Sequence, residues 1–169
     1  MCIFFNKWKD FEPTTKYLSI VSGLTTITKL HNYLKQFKWQ GEKAWKDYWK
    51  TPIEFIENKD NDNDCEDFAR FAVDVLVRIM RITEARFIAH SGYDKKRWGN
   101  KIWNLKWHAI CVFPYENKLA VFSNNGLFKG IDSYENAGKL TFKDGLKYQQ
   151  VRDWQGKILS RKFKIFGTF

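Results

Sequence analysis

Residues 65–82, CEDFARFAVDVLVRIMRI, constrain the fold more than any other stretch of the chain. Phe68, Phe71, Ala72, Val75 and Ile79 form one stripe at helical spacing, and Ala69, Val73, Leu76 and Met80 form most of a second. A helix that is apolar nearly all round cannot lie on a surface, so the rest of the domain must be built around it. Residues 58–64 before it, NKDNDND, read as a solvated loop ending in a good helix cap, Asp64.

The other signals are arranged on either side of this segment. Upstream, Leu30, Tyr33, Leu34 and Phe37 share one helical stripe. A turn at Gly41 leads into a helical run through Trp45 and Trp49 that stops before Pro52, and Pro52 suits the first position of a further short helix. Downstream, residues 85–91, 105–113 and 118–124 read as strands. The last two are joined by the tight link 114–117 as a hairpin, and KLTF (139–142) and ILSRKFKIF (158–166) look β-like. Helices followed by strands predict an α+β fold, an antiparallel sheet packed on the buried helix. One domain over 1–169 is expected, helical to about residue 82 and sheet from 83.

Aromatics make up 18% of the chain, so a large core is available. The three cysteines, Cys2, Cys65 and Cys111, give no disulfide framework and no zinc spacing. No apolar run is long enough to span a membrane, and the charged start is a poor secretory signal, so a cytoplasmic protein is expected. The net charge is +10, and from Lys139 onward eight Lys/Arg face two Asp, +6 in that segment. Nucleic acid or an acidic protein would suit such a surface; a solvated basic face with no dedicated partner is the plainer explanation.

Cys65 raises the chemical question. It lies among Asp64, Glu66 and Asp67, whose charges oppose thiolate formation. At a helix start it also lies where free N–H groups and the positive end of the dipole converge, which favours thiolate. Of the three histidines, His31 falls in the first helical region and His90 ends a strand. His108 lies within the strand LKWHAICVF, a rigid place for a base. Cys111 is most simply a small core residue. Trp98, Trp103 and Trp107 flank the histidine strand and could pack the core or wall a cleft.

Taken together, Trp49-Lys50-Thr51-Pro52-Ile53-Glu54-Phe55, Asp64-Cys65-Glu66-Asp67-Phe68-Ala69, His108-Ala109 and Phe122-Ser123-Asn124 carry a family pattern. The chain resembles the bacterial transglutaminase-like cysteine proteinases of the papain-like superfamily over roughly residues 30 to 130. The resemblance implies Cys65 as nucleophile at the helix N-terminus and His108 as its base; the Asp64 cap, the helix start and His108 predict a thiol pKa lowered modestly against the neighbouring acids. The resemblance also implies that a calcium ion, where one is held, is held by Asp64 and Asp67. Without it these two are a cap and a first-turn acid. The loop is not an EF-hand, because Cys65 and Phe71 stand where glycine and glutamate are needed.

The family's orienting Asp falls on Ser123. A hairpin register summing to 233 places His108 opposite Asn125, and one summing to 231 places it opposite Ser123. Either puts the odd-numbered residues on the histidine's face; a sum of 232, or a bulge, would bring Asn124 there. Carboxamide chemistry slightly favours Asn124, with Ser123 kept beside it. The expected activity is hydrolysis of a protein or peptide amide through an acyl-enzyme on Cys65, with no cofactor required. The alternatives are transamidation and a non-catalytic basic binding protein on the same scaffold, holding nucleic acid or an acidic partner on its aromatic, cationic C-terminal half.

Overall fold

The computed structural model describes residues 8–40, 49–57, 63–93, 105–142 and 146–163. Short helices lead. α1 (Thr15–Val21) and α2 (Ile27–Leu34) are capped by Thr14 and Thr26, whose hydroxyls accept from the N–H of Tyr17 and Lys29. α3 (Pro52–Glu57) starts at Pro52 as the sequence predicts. Thr51 and Glu54 cap it reciprocally: Thr51 N–H donates to Glu54 Oε2 at 2.6 Å, and Glu54 N–H donates to Thr51 Oγ1 at 3.3 Å. The helical run expected through Trp45 lies outside the described residues, and Trp49 itself is not helical.

The buried helix is α4 (Cys65–Arg78). Asp64 caps it, accepting from Glu66 N–H and Asp67 N–H, while Asp67 accepts from Asp64 N–H. It ends four residues earlier than Ile82, because Arg81 adopts a left-handed φ of 61° and turns the chain toward the sheet. The polar residues on α4 are tied down. Tyr17 Oη of α1 donates to Asp74 Oδ2 at 2.6 Å, and Arg78 Nε donates to Asp74 Oδ1 at 2.7 Å.

Six strands follow: β1 (Arg86–Tyr93), β2 (Leu105–Tyr115), β3 (Lys118–Ser123), β4 (Gly126–Ile131), β5 (Leu146–Arg152) and β6 (Ile158–Phe163). They form an antiparallel sheet in the order β4-β3-β2-β1-β5-β6. One face buries Phe87, Ala89, Ala109, Cys111 and Phe122 with α4 and the N-terminal helices. Phe37, Phe55 and Phe71 stack in that layer, with Phe55 ring centroids 4.3 Å and 4.8 Å from the other two. The other face buries Ile88, Ile110, Val112, Val121 and Val151 against Ala137 of a fifth helix, α5 (Tyr134–Phe142). The fold is thus mixed α/β, with its sheet antiparallel.

Two expectations for the C-terminal part are corrected. KLTF is the end of α5 and not a strand. Ser133 starts that helix by accepting from Asn136 N–H, Glu135 and Lys139 pair one turn apart, and Ala137 and Phe142 supply the buried side. β5, LKYQQVR, was not expected, because a polar segment hides a strand in the middle of the sheet. Its buried polar groups satisfy one another: Arg152 Nε donates to Gln150 Oε1 and Gln150 Nε2 to Tyr148 Oη, each at 2.8 Å. Among the described residues, no helix is long and apolar enough to cross a membrane.

Candidate active site

Cys65 is the first residue of α4, and its thiol donates to Glu66 Oε2 at 2.9 Å. Burial pushes the thiol pKa well above its usual value, and the charges of Glu66 and Asp64 push it the same way. The backbone N–H of Ala109 in β2 opposes them. The low-pKa thiolate expected at this helix end is therefore not the resting form. Among the described residues, no hydrogen bond joins Cys65 to His108. Burial and two adjoining carboxylates outweigh the helix terminus and the Ala109 amide. Cys65 nevertheless lies against β2 at the residue following His108.

His108, Ser123 and Asn124 do come together. β2 and β3 pair with residue numbers summing to 233, from Tyr115↔Lys118 to Cys111↔Phe122. Beyond Phe122 the chain turns into β4, so Ser123 reaches the histidine diagonally, from the same face of the sheet. His108 Nε2 lies 3.0 Å from Ser123 Oγ. The serine's one proton goes to Asn124 Oδ1 at 3.1 Å, and its oxygen also accepts from Asn125 N–H at 3.3 Å. With the hydroxyl proton so placed, the serine oxygen can only accept from the ring. His108 then carries its proton on Nε2 and leaves Nδ1 with a free lone pair. Ser123 touches the imidazole and Asn124 orients Ser123. Burial lowers the His108 pKa to about 4, so the ring is a neutral base at neutral pH.

A second histidine, not singled out from the sequence, completes this corner. His90 of β1 is the direct partner of His108 across the ladder. Their rings meet edge to face at 5.4 Å, and Phe142 of α5 closes on His90 at 5.3 Å. His90 is fully buried, and neither ring nitrogen makes a hydrogen bond of good geometry, although the Ile88 backbone lies close by. Burial, with His108 nearby, holds its pKa well below 6.5.

Asp64 and Asp67, the residues the resemblance assigns to calcium, have carboxylate oxygens engaged by the protein's own donors. Asp67 Oδ1 accepts from Lys50 N–H, and Oδ2 accepts from Lys50 Nζ, both at 2.8 Å. Asp64 Oδ1 is taken by two helix N–H groups. Calcium needs about 6–8 oxygen ligands. Among the described residues, no group of three His, Cys, Asp or Glu side chains is arranged to hold a metal. Asp60 and Asp62 lie outside the described residues.

A cleft of about 290 Å³ opens beside Ser123 and Asn124, lined also by His31, Trp39, Phe68, Phe122 and Asn125. Trp39 is half exposed at its mouth. Neither Trp39 nor His31 was expected there. The signal available was only that Trp39 precedes the acid loop by about twenty residues, too far for local reasoning. Of the tryptophans flanking the histidine strand, Trp107 packs on Tyr148 with centroids 5.7 Å apart, and Trp98 and Trp103 lie outside the described residues.

No protein-family model matches the chain, and no curated protein does. Among solved structures it is similar to Legionella pneumophila LapG in EGTA-treated form, at 19% identity and TM-score 0.41, covering 78% of this chain and 62% of that one. It is also similar to a second Legionella pneumophila LapG structure at 19% identity and TM-score 0.42, covering 78% of this chain and 64% of that one. The chain thus spans less than two thirds of the length of these structures.

Proposed function

We propose that this protein is a transglutaminase-like, papain-like cysteine hydrolase that cleaves an amide bond in a protein or peptide, with Cys65 as nucleophile and His108 as base. The observation that carries the reading is the His108–Ser123–Asn124 relay on β2 and β3, together with a cysteine at the first position of the buried helix that meets β2 at the Ala109 backbone. A neutral imidazole held by its Nε2–H keeps Nδ1 ready to take a proton. In the reaction the Cys65 thiol leaves Glu66 and gives its proton to His108 Nδ1, which requires the His108 ring, packed at rest on His90 at the α5 side of the sheet, to turn toward α4. The sulfur attacks the substrate carbonyl carbon, and His108 returns the proton to the departing amine. The Ala109 amide, which reaches the sulfur, is a donor suited to the oxyanion, whereas the Glu66 and Asp67 N–H groups are held by the Asp64 cap. Water then releases the acyl group and restores the thiol; an amine in its place gives transamidation.

Residue labelling tests the reading. A peptide-based electrophile should add to Cys65 much faster than to Cys111, which is fully buried in the core, and His108→Ala should abolish the difference. A Cys65→Ala variant should then retain substrates from a lysate. Equal, slow labelling of all cysteines would end the reading.

The second reading, a non-catalytic binding protein, draws on β6. Arg161 and Lys162 are exposed on this edge strand beside exposed Leu159 and Phe163. Salt-sensitive binding of single-stranded nucleic acid, lost in an Arg161→Ala/Lys162→Ala variant and coupled with an unreactive Cys65, is its expected outcome.

A further inference from the structure

We propose that Lys50 is a built-in counter-cation for the acidic start of α4 and makes this chain indifferent to calcium. The ammonium holds the Asp67 oxygen, Oδ2, that a metal at this carboxylate would compete for. Three anchors fix the residue. Its N–H donates to Asp67 Oδ1 and its Nζ to Asp67 Oδ2, both at 2.8 Å, while its carbonyl accepts from Arg70 NH1 at 3.0 Å. Lys50 is 7% exposed and Asp67 1%. Lysine on an exposed pair would be a loose partner of little consequence. Here backbone and side chain of one residue close on both oxygens of one carboxylate, out of water, and a second cation on α4 holds that residue's carbonyl.

The need for a cation is local. Asp64, Glu66 and Asp67 fall within one helical turn, all buried, and Cys65 lies among them. The carboxylate of Asp67 also accepts from Asp64 N–H, so whatever holds Asp67 fixes the cap of α4 and, through it, the position of Cys65. A covalently attached ammonium at 2.8 Å supplies one positive charge and cannot be chelated. A calcium ion at the same carboxylate would have to displace Lys50 Nζ and leave that ammonium buried without its partner, a costly exchange. The lysine that stands between Trp49 and Thr51 thus makes a metal unnecessary where the flanking acids suggest one.

The test is thermal unfolding of the whole chain in calcium, magnesium or EGTA, together with calorimetric titration of calcium. The wild-type melting temperature should be the same in all three buffers, with no heat of calcium binding. A Lys50→Met variant keeps the stem and removes the charge. It should melt several degrees lower in EGTA and regain part of that loss in millimolar calcium, and Lys50→Arg should melt closer to wild type than Lys50→Met does. A wild-type melt that falls in EGTA overturns the proposal, as does a Lys50→Met variant that melts like wild type or that calcium fails to restore. If Lys50→Met does not fold, the wild-type melts and titration decide alone: insensitivity with no heat upholds the proposal, and either response rejects it.

Discussion

The Cys65 thiol is bonded to its own neighbour, Glu66, and not to His108. The carboxylate both accepts the S–H proton and repels the thiolate, so it acts as a brake on the nucleophile. Glu66→Gln removes the charge while keeping an acceptor oxygen. Alkylation of Cys65 by iodoacetamide at neutral pH should accelerate on the order of tenfold, about one pKa unit of thiol acidity. This readout does not depend on the protein being a hydrolase. A rate unchanged in Glu66→Gln would mean that burial alone holds the thiol.

Ser123 and Asn124 form a series and not a choice. Ser123 touches His108, and Asn124 receives the serine's proton. Ser123→Ala should therefore cost more turnover than Asn124→Ala, on the order of tenfold against a few-fold, since it removes the ring's own hydrogen bond. Ser123→Asp should raise turnover, because a carboxylate at the same place stabilises an imidazolium that serine cannot. Melting temperatures measured in parallel separate this from folding. Greater loss in Asn124→Ala would show that the amide reaches the ring in the working state.

Much of this arrangement was legible, and the limit has a physical reason. The buried helix, its Asp64 cap, Pro52 at a helix start and the β2–β3 hairpin rest on patterns within a few residues, and these held. The relations that involve distant residues were not legible. Lys50 meets Asp67 across seventeen residues, and His90 meets His108 only through the β1–β2 register. β5 was hidden because Gln149, Gln150 and Arg152 read as surface residues, whereas hydrogen bonding allows them to be buried. KLTF carried β-like apolar residues, but Ser133, outside that window, had already committed the segment to a helix.

His108 gives a pH dependence with a definite sign. Its pKa falls from 6.5 to about 4 on folding. Above pH 6.5 the ring is neutral in both states and nothing is lost. Below it the unfolded chain takes up a proton that the folded protein refuses, so stability falls as pH drops toward 4. The full effect is on the order of 3 kcal/mol. Other groups titrate in the same range, so the comparison is with His108→Gln. The variant should gain stability relative to wild type steadily across that window. A constant difference between the two proteins would show that the ring protonates in place.

His90 is the residue whose replacement should stabilise the fold while harming its chemistry. A buried imidazole whose nitrogens make no well-formed hydrogen bond, although the Ile88 backbone lies close by, bears most of the cost of desolvation without compensation, about 1–3 kcal/mol for such a polar group. Leucine fills a similar space among His108, Phe142 and the neighbouring strands, with no polar atom to desolvate. His90→Leu should therefore shift the urea midpoint upward at unchanged slope, a gain on the order of 1 kcal/mol. It also removes the ring that meets the His108 imidazole edge to face, so turnover should fall although stability rises. Proteins keep such unfavourable groups where the site needs them. A lower midpoint in His90→Leu would show that His90 holds the strands together through its nitrogens. A higher midpoint with undiminished turnover would make it a packing residue with no part in positioning His108.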